Sequence, residues 1–474
     1  MKTRSATFVL LCTTFFMIVL DFSIVSIAMP AIQRELHFPP GDLQWVISAY
    51  TIIFAGFLMV AGRLCDLFGR RVIFVVGLLI FTAASLVAGL AHTPAFLVIM
   101  RGVQGLGAAM VNPAALALVT DLFEEGAPRN RALSLWGVIG SAGLTVGILL
   151  GGVLTSALGW RSVFFVNVPI GIVLLAAAPF FLPREFSARV RERIDYAGAL
   201  LTTFGILVLI YAIEEISEEG LFTVPTLLRL STAIVLLGAF VFVETRVRNP
   251  VMPLSVFRLP NLSASASVTI FQAAAYASLF VYASMYFQTS LHWAPWRAAM
   301  AFLPMSVLLT AFAGPFSAPL ATRFGGRTVG IAATMLMIAG GIIMTLINRQ
   351  TPYLIGALPG TVIAGFGCMI TYQMSMMVGL AHIPAAQTGA ASGILSTGIQ
   401  IGLSVGVAIG GTVVETAFGT RGAFLASIIF AALVGISFLA MRNVGAATAG
   451  TRVLHHHVPF GKLFFFARGH HVRA

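Results

Sequence analysis

Fourteen stretches of this chain are long and apolar enough to cross a bilayer, and nothing else constrains its fold as much. They run over 7–30, 43–63, 72–91, 95–120, 132–156, 163–182, 195–214, 225–244, 263–290, 297–321, 328–347, 352–379, 391–416 and 422–441. A hydrocarbon core of ~30 Å takes about 20 residues of helix. The runs are far longer than the ~10 residues of a barrel strand, and they do not alternate. Within lipid the backbone has to satisfy its own hydrogen bonds, which leaves the helix as the spanning element. Composition agrees: of 474 residues 58% are hydrophobic and 9% charged, with a mean hydropathy of +0.97, where a soluble domain carries roughly 25% charged residues. An ordinary soluble enzyme, a disordered chain and a disulfide-stapled secreted domain are excluded. The expected fold class is an all-α polytopic membrane protein.

A formal net charge of +12 would suggest nucleic acid in a soluble protein. Here the position of the charge explains it. Of 28 basic residues all but Lys2 and Lys462 are Arg. With the N-terminus inside, twenty-one fall in the two tails and the inner loops. Six fall outside, at Arg34, Arg161, Arg229, Arg297, Arg349 and Arg421, and Arg101 lies within a span. By the positive-inside rule both termini are cytoplasmic, the chain sits in the cytoplasmic membrane, and its partner surface is the lipid bilayer, not nucleic acid. The outer loop after span seven is acidic (Glu214, Glu215, Glu218, Glu219). Cys12, Cys65 and Cys368 are scattered without a CxxC pair, so neither a disulfide framework nor a zinc site is expected. Met1–Ser5 runs into apolar sequence without a small-residue cleavage site, and Asp21 interrupts that run, so it reads as a first span and not a signal peptide.

The chain repeats itself. Gly143-x3-Gly147-x3-Gly151-Gly152 recurs as Gly402-x3-Gly406-x3-Gly410-Gly411, Gly105-x-Gly107 as Gly365-x-Gly367, and Phe68-Gly69 with Arg71 as Phe324-Gly325 with Arg327, at offsets of 259, 260 and 256. Three pairs in one order at nearly one offset imply two homologous six-helix halves, 1–182 and 263–441. Between them, 183–262 holds a basic linker from Pro183 to Arg193 and a two-helix insert over 195–244. Residues 442–474 form a basic, His-rich tail (His455, His456, His457, His470, His471) suited to touching anionic lipid. Parallel repeats suit a transporter that rocks about a central site.

Asp21 stands near the middle of span one, flanked by Val19, Leu20, Phe22 and Ile24. An ionised carboxylate there costs at least ~2.5–3.5 kcal/mol. It has to face a cavity, find a partner or hold a proton. A proton-coupling role competes with a plain structural hydrogen bond. Arg101 lies about two turns inside span four, with Gln104, Gly105 and Asn112 on its face. A guanidinium does not lose its proton, so it either biases a nearby carboxylate or snorkels to the outer interface. The short loop Gly62-Arg63-Leu64-Cys65-Asp66-Leu67-Phe68-Gly69-Arg70-Arg71 reads as a tight turn opened by Gly62 and Gly69. In it Asp66 pairs with an Arg or caps a helix N-terminus, and Arg70 and Arg71 also serve as inner anchors. The ladder Gly143, Gly147, Gly151, Gly152 permits close helix packing, and such a seam would also seal against proton leak. Trp45, Tyr50, Asn112, Gln272, Tyr276, Tyr282, Tyr372, Gln373 and Met376 are the candidates for a substrate wall, since aromatic and Met surfaces accept varied apolar cations. No second acid is placed deep in a span, Glu415 being near an outer end, so monocations or neutral compounds are expected over dications.

These motifs resemble a known family. Gly62–Arg71 looks like the loop signature of the major facilitator superfamily, Arg101-Gly-Val-Gln104-Gly105-Leu-Gly107 like its span-four signature, and the Gly143–Gly152 ladder like its antiporter signature, with Ile148 where that ladder usually has Pro. Leu20-Asp21 with Ile24-Val25 and Pro30, Trp160-Arg161-x4-Val166-Asn167-Val168-Pro169-x-Gly171 and Asp195-Tyr196-x-Gly198 resemble the fourteen-helix drug:proton antiporters of the EmrB/QacA type. The resemblance covers about 1–441. It implies the major facilitator fold and proton-driven export of hydrophobic, often cationic compounds, with Asp21 and Arg101 in proton coupling and Asp66 in gating. Small-molecule substrate and protons are the implied partners, and no cofactor is implied. The alternative is a dedicated exporter of one metabolite, such as a self-made antibiotic. A membrane-embedded enzyme would need clustered nucleophile, base or metal ligands within the spans, and the spans carry one buried acid, one buried Arg and no His. GxxxxGK[ST] is absent, which argues against ATP-driven export. An accessory periplasmic adaptor has no signature in the sequence.

Overall fold

The computed structural model describes residues 2–38, 42–183, 195–247, 250, 252, 254–259, 261–293, 295–381, 383, 384, 387–414 and 418–442. Glu415, most of the linker and the tail beyond Arg442 lie outside them. Among the described residues there is no strand. Thirteen helices among the described residues are long and apolar enough to span. In chain order the helical segments are α1 (Lys2–Leu36), α2 (Trp45–Phe68), α3 (Arg70–Gly89), α4 (Pro94–Leu122), α5 (Ala127–Leu158), α6 (Ser162–Phe165) and α7 (Asn167–Phe181), the last two forming one span. Then come α8 (Tyr196–Glu219), α9 (Val224–Glu244), α10 (Leu262–Thr289), α11 (Pro295–Met300), α12 (Leu303–Leu308), α13 (Gly314–Phe324), α14 (Gly326–Leu346), α15 (Ala357–Gly379), α16 (Thr388–Val414) and α17 (Thr420–Leu439).

The expected span over 297–321 is broken into α11, α12, a π turn over Leu309–Ala313 and α13. Pro304 opens α12 and Pro319 lies inside α13. Proline lacks the amide hydrogen that the ladder needs and disfavours helical backbone at the residue before it.

The sequence repeat is matched by a packing repeat. α1 packs on α5 as α10 does on α16, α3 on α4 as α14 on α15, and α1 on α7 as α10 on α17. Gly69, at φ 91°, is the single residue between α2 and α3, and Gly325, at φ 82°, is its counterpart between α13 and α14. That backbone region is open to glycine at no steric cost. The insert is not detached: α8 lies against both α2 and α16, with α9 outside it. Leu228, Ile234, Val235 and Phe242 of α9 are exposed, which suits contact with acyl chains. Below, the inner end of the bundle is the one that the charge count assigns to the cytoplasm.

Candidate functional site: a buried ion pair beside an aromatic cavity

Asp21 and Arg101 are both 0% exposed, and Arg101 Nη1 donates to Asp21 Oδ2 at 2.7 Å. The other carboxylate oxygen accepts from Gln104 Nε2 at 2.8 Å and from Asn167 Nδ2 at 2.6 Å. Gln104 turns its carbonyl to Arg101 Nη1 at 2.7 Å and gives a second hydrogen to Ser85 Oγ, also at 2.7 Å. Arg101 Nε donates to the Val46 carbonyl at 2.8 Å. Asp21 therefore receives from donors alone, the arrangement of an ionised carboxylate. Four helices (α1, α3, α4, α7) supply the side chains and α2 a carbonyl. Arg101 does not snorkel.

Glycines set this cluster. A Cβ on Gly147 would stand 2.7 Å from the Leu20 carbonyl oxygen, and one on Gly151 2.8 Å from that of Ile24, so α5 lies directly on the segment of α1 that carries Asp21. Each ladder packs on the first helix of its own repeat unit. Gly402 and Gly406 face Ile270 and Ala274 of α10 in the same way. Gly152 has open space around it and is not part of the seam. A Cβ on Gly105 would be 2.5 Å from the Tyr50 carbonyl, which brings α4 against α2 beside Arg101 and Gln104.

A cavity of about 740 Å³ lies next to the ion pair. Of the candidates for a substrate wall, Trp45, Tyr50, Asn112, Gln272, Tyr276 and Tyr372 line it. Trp136 lines it as well, its ring stacked on Phe15 at 4.2 Å. Three candidates lie elsewhere. Gln373 is buried and gives its amide to the Ser134 carbonyl at 3.0 Å, tying α15 to α5. The Tyr282 hydroxyl donates to the Val407 carbonyl at 2.6 Å, and Met376 is buried in the core. Each satisfies helix packing and not a wall. Asp21 does not line the cavity: Tyr50 stands between, with the Arg101 guanidinium 4.4 Å from its ring centre.

The cavity lining reaches the outer end through Gln44, Trp45 and Ser48 of the α2 region and Tyr211, Glu214 and Glu215 of α8. The inner end is closed. Asp66 accepts from the Gly389 and Ala390 amides in the first turn of α16, each at 3.0 Å, where the helix dipole favours an anion. Of the two roles open to Asp66, this is the cap. Gly62 does not form the turn. It lies within α2, and a Cβ there would meet the Gly389 carbonyl of α16. Ser134 and Ser317 share a hydrogen bond at 2.9 Å between α5 and α13. Arg70 pairs with Asp121, and Arg71 donates to the Leu182 and Pro179 carbonyls at 3.2 and 3.1 Å.

Sequence reasoning missed two sets of residues. Asn167 was visible as part of a motif but had no role, although an amide within an apolar span demands a partner for the same reason as Asp21. Glu214 and Glu215 were read as loop. They lie inside α8, which continues to Glu219, and they share a face with Tyr211 by their three- and four-residue spacing.

A repeated helical bundle around a cavity, with a charge pair buried in its spans, defines an integral membrane transporter. A family model described as Major Facilitator Superfamily matches residues 11–395. The chain belongs to the Major Facilitator Superfamily. It is 36% identical over 445 residues to the cephamycin export protein CmcT of Amycolatopsis lactamdurans, covering 92% of this chain and 90% of that one. It is 36% identical over 382 residues to the multidrug resistance protein Stp of Mycobacterium tuberculosis (strain CDC 1551 / Oshkosh), covering 80% and 70%. The fold is similar to that of the human organic anion transporter MFSD10, with a TM-score of 0.68 and 14% identity over 93% of this chain and 99% of that one.

Proposed function

We propose that the protein is a proton-coupled antiporter that exports hydrophobic, cationic or neutral compounds across the cytoplasmic membrane by alternating access between the units 1–182 and 263–441. Both termini are cytoplasmic in this reading, so a cavity that reaches the outer end with the inner end closed is the outward-facing state. The observation that carries the proposal is the Asp21–Arg101 pair, buried within the spans and one aromatic ring away from the cavity. A proton on Asp21 turns an acceptor-only carboxylate into a donor. It cancels the ion pair and frees the guanidinium against Tyr50. Substrate entering from the cytoplasm would press on the same ring and favour release of that proton. Asp66 on the α16 N-terminus, with the Ser134–Ser317 and Gln373–Ser134 bonds, would act as the inner gate.

The energetics suffice. Each proton moving inward supplies ~2.3 kcal/mol per 100 mV, and a tenfold substrate gradient costs about 1.4 kcal/mol. The test is drug-induced proton release in inverted vesicles. Asp21→Asn is expected to abolish it, and release that survives intact would falsify the coupling role. Similarity to a protein named for cephamycin export also supports the second reading, a dedicated exporter of one metabolite. A substrate panel separates the two: many unrelated compounds moved, or one.

A further inference from the structure

Asp21 is not available to a substrate. Both its oxygens are taken by Arg101, Gln104 and Asn167, and it lies outside the cavity lining. The acids of the wall come from the insert. Glu214 and Glu215 of α8 line the cavity with Tyr211. Glu214 hydrogen-bonds Ser48 of α2. Glu215 is 3.9 Å from Arg229 of α9, but that guanidinium is held more closely by Glu219, at 2.6 and 3.2 Å. Glu215 and Glu219 thus share one guanidinium. Around them stand groups suited to a cation. The Trp45 and Tyr211 rings are 5.7 Å apart, and the Tyr50 hydroxyl is buried in the same lining with no hydrogen-bond partner among the described residues.

We propose that Glu214, supported by Glu215, anchors the positive group of a lipophilic cation in this cavity, so that the two-helix insert supplies the substrate-selecting wall. Trp45, in the same lining and 5.7 Å from the Tyr211 ring, supplies an aromatic surface for such a cation, an attraction that gains strength where water is excluded. The inference rests on the cavity being the substrate site and is independent of Asp21 as the proton carrier.

The experiment is equilibrium binding of tetraphenylphosphonium to the purified full chain in lipid nanodiscs, without a pH gradient. Glu214→Gln keeps the size and the Ser48 contact while removing the charge, and it should weaken binding about tenfold. Glu214→Asp should restore it to within about threefold of wild type. In the wild-type protein, bound tetraphenylphosphonium should also protect Glu214 from carbodiimide modification, read by mass spectrometry. This arm decides the question even where Glu214→Gln does not fold. Equal binding by Glu214→Gln, failure of Glu214→Asp to restore it, absence of protection, or no binding by the wild type each overturns the proposal. Since no proton gradient is present, these outcomes are separate from the vesicle test of Asp21.

Discussion

The Arg101 guanidinium lies 4.4 Å from the centre of the Tyr50 ring, and Tyr50 is at the same time part of the cavity wall. The partition between the buried ion pair and the cavity is therefore one side chain thick. Tyr50 is held there by its backbone contact with Gly105 on α4. A change in charge at Asp21 and a change in occupancy of the cavity meet at this ring.

Tyr50→Phe keeps the ring and loses only the hydroxyl, whereas Tyr50→Ala removes the partition. Proton release per substrate in inverted vesicles should stay within about threefold of wild type for Tyr50→Phe and disappear for Tyr50→Ala. Equal behaviour of the two would show that the ring does not transmit.

The ion pair should reveal itself in stability. Removing one partner of a buried pair leaves an uncompensated charge and costs about 3–5 kcal/mol. Asp21→Asn and Arg101→Leu are each expected to lower the thermal midpoint strongly, and the double variant less than their sum. Strict additivity in the cycle would mean that the two groups are not energetically coupled.

The glycine ladder offers a contrast within one helix. At Gly147 a methyl group would run into Ser23 and the Leu20 carbonyl, while at Gly152 nothing lies nearby. Gly147→Ala should cost about 1–3 kcal/mol through overpacking. Gly152→Ala should be neutral or stabilise by up to ~1 kcal/mol through helix propensity. Thermal unfolding in detergent distinguishes them.

Gly62 governs closure of the inner end. Gly62→Val would push α2 away from the Gly389 carbonyl and break the Asp66 bonds to the first turn of α16. Spin labels at Phe68 and Ile383 should report a longer distance than in wild type, with helical content unchanged. An unaltered distance would remove Gly62 from the gate.

Two motifs show where local reading stopped. Gly62 and Gly69 belong to one signature and both looked like turn glycines. Gly69 is one, because its φ of 91° is a local property of the chain reversal. Gly62 makes room for α16, more than three hundred residues further along the chain, and no spacing rule around it encodes that neighbour. The ladder was legible as a packing surface, but not the fact that its partner is the helix carrying Asp21.

The amino-acid sequence determined the spanning helices, the internal repeat and the presence of mid-membrane charges. Lipid offers the backbone no hydrogen bonds and the charges no hydration, so composition alone dictates those outcomes. Tertiary packing decided the rest. It chose Asn167, 146 residues away, as the third donor to Asp21, placed Tyr50 as the partition, and carried the Glu214 carboxylate into the cavity. Those relationships arise between helices, and only the way the bundle closes selects which of many polar partners come within reach.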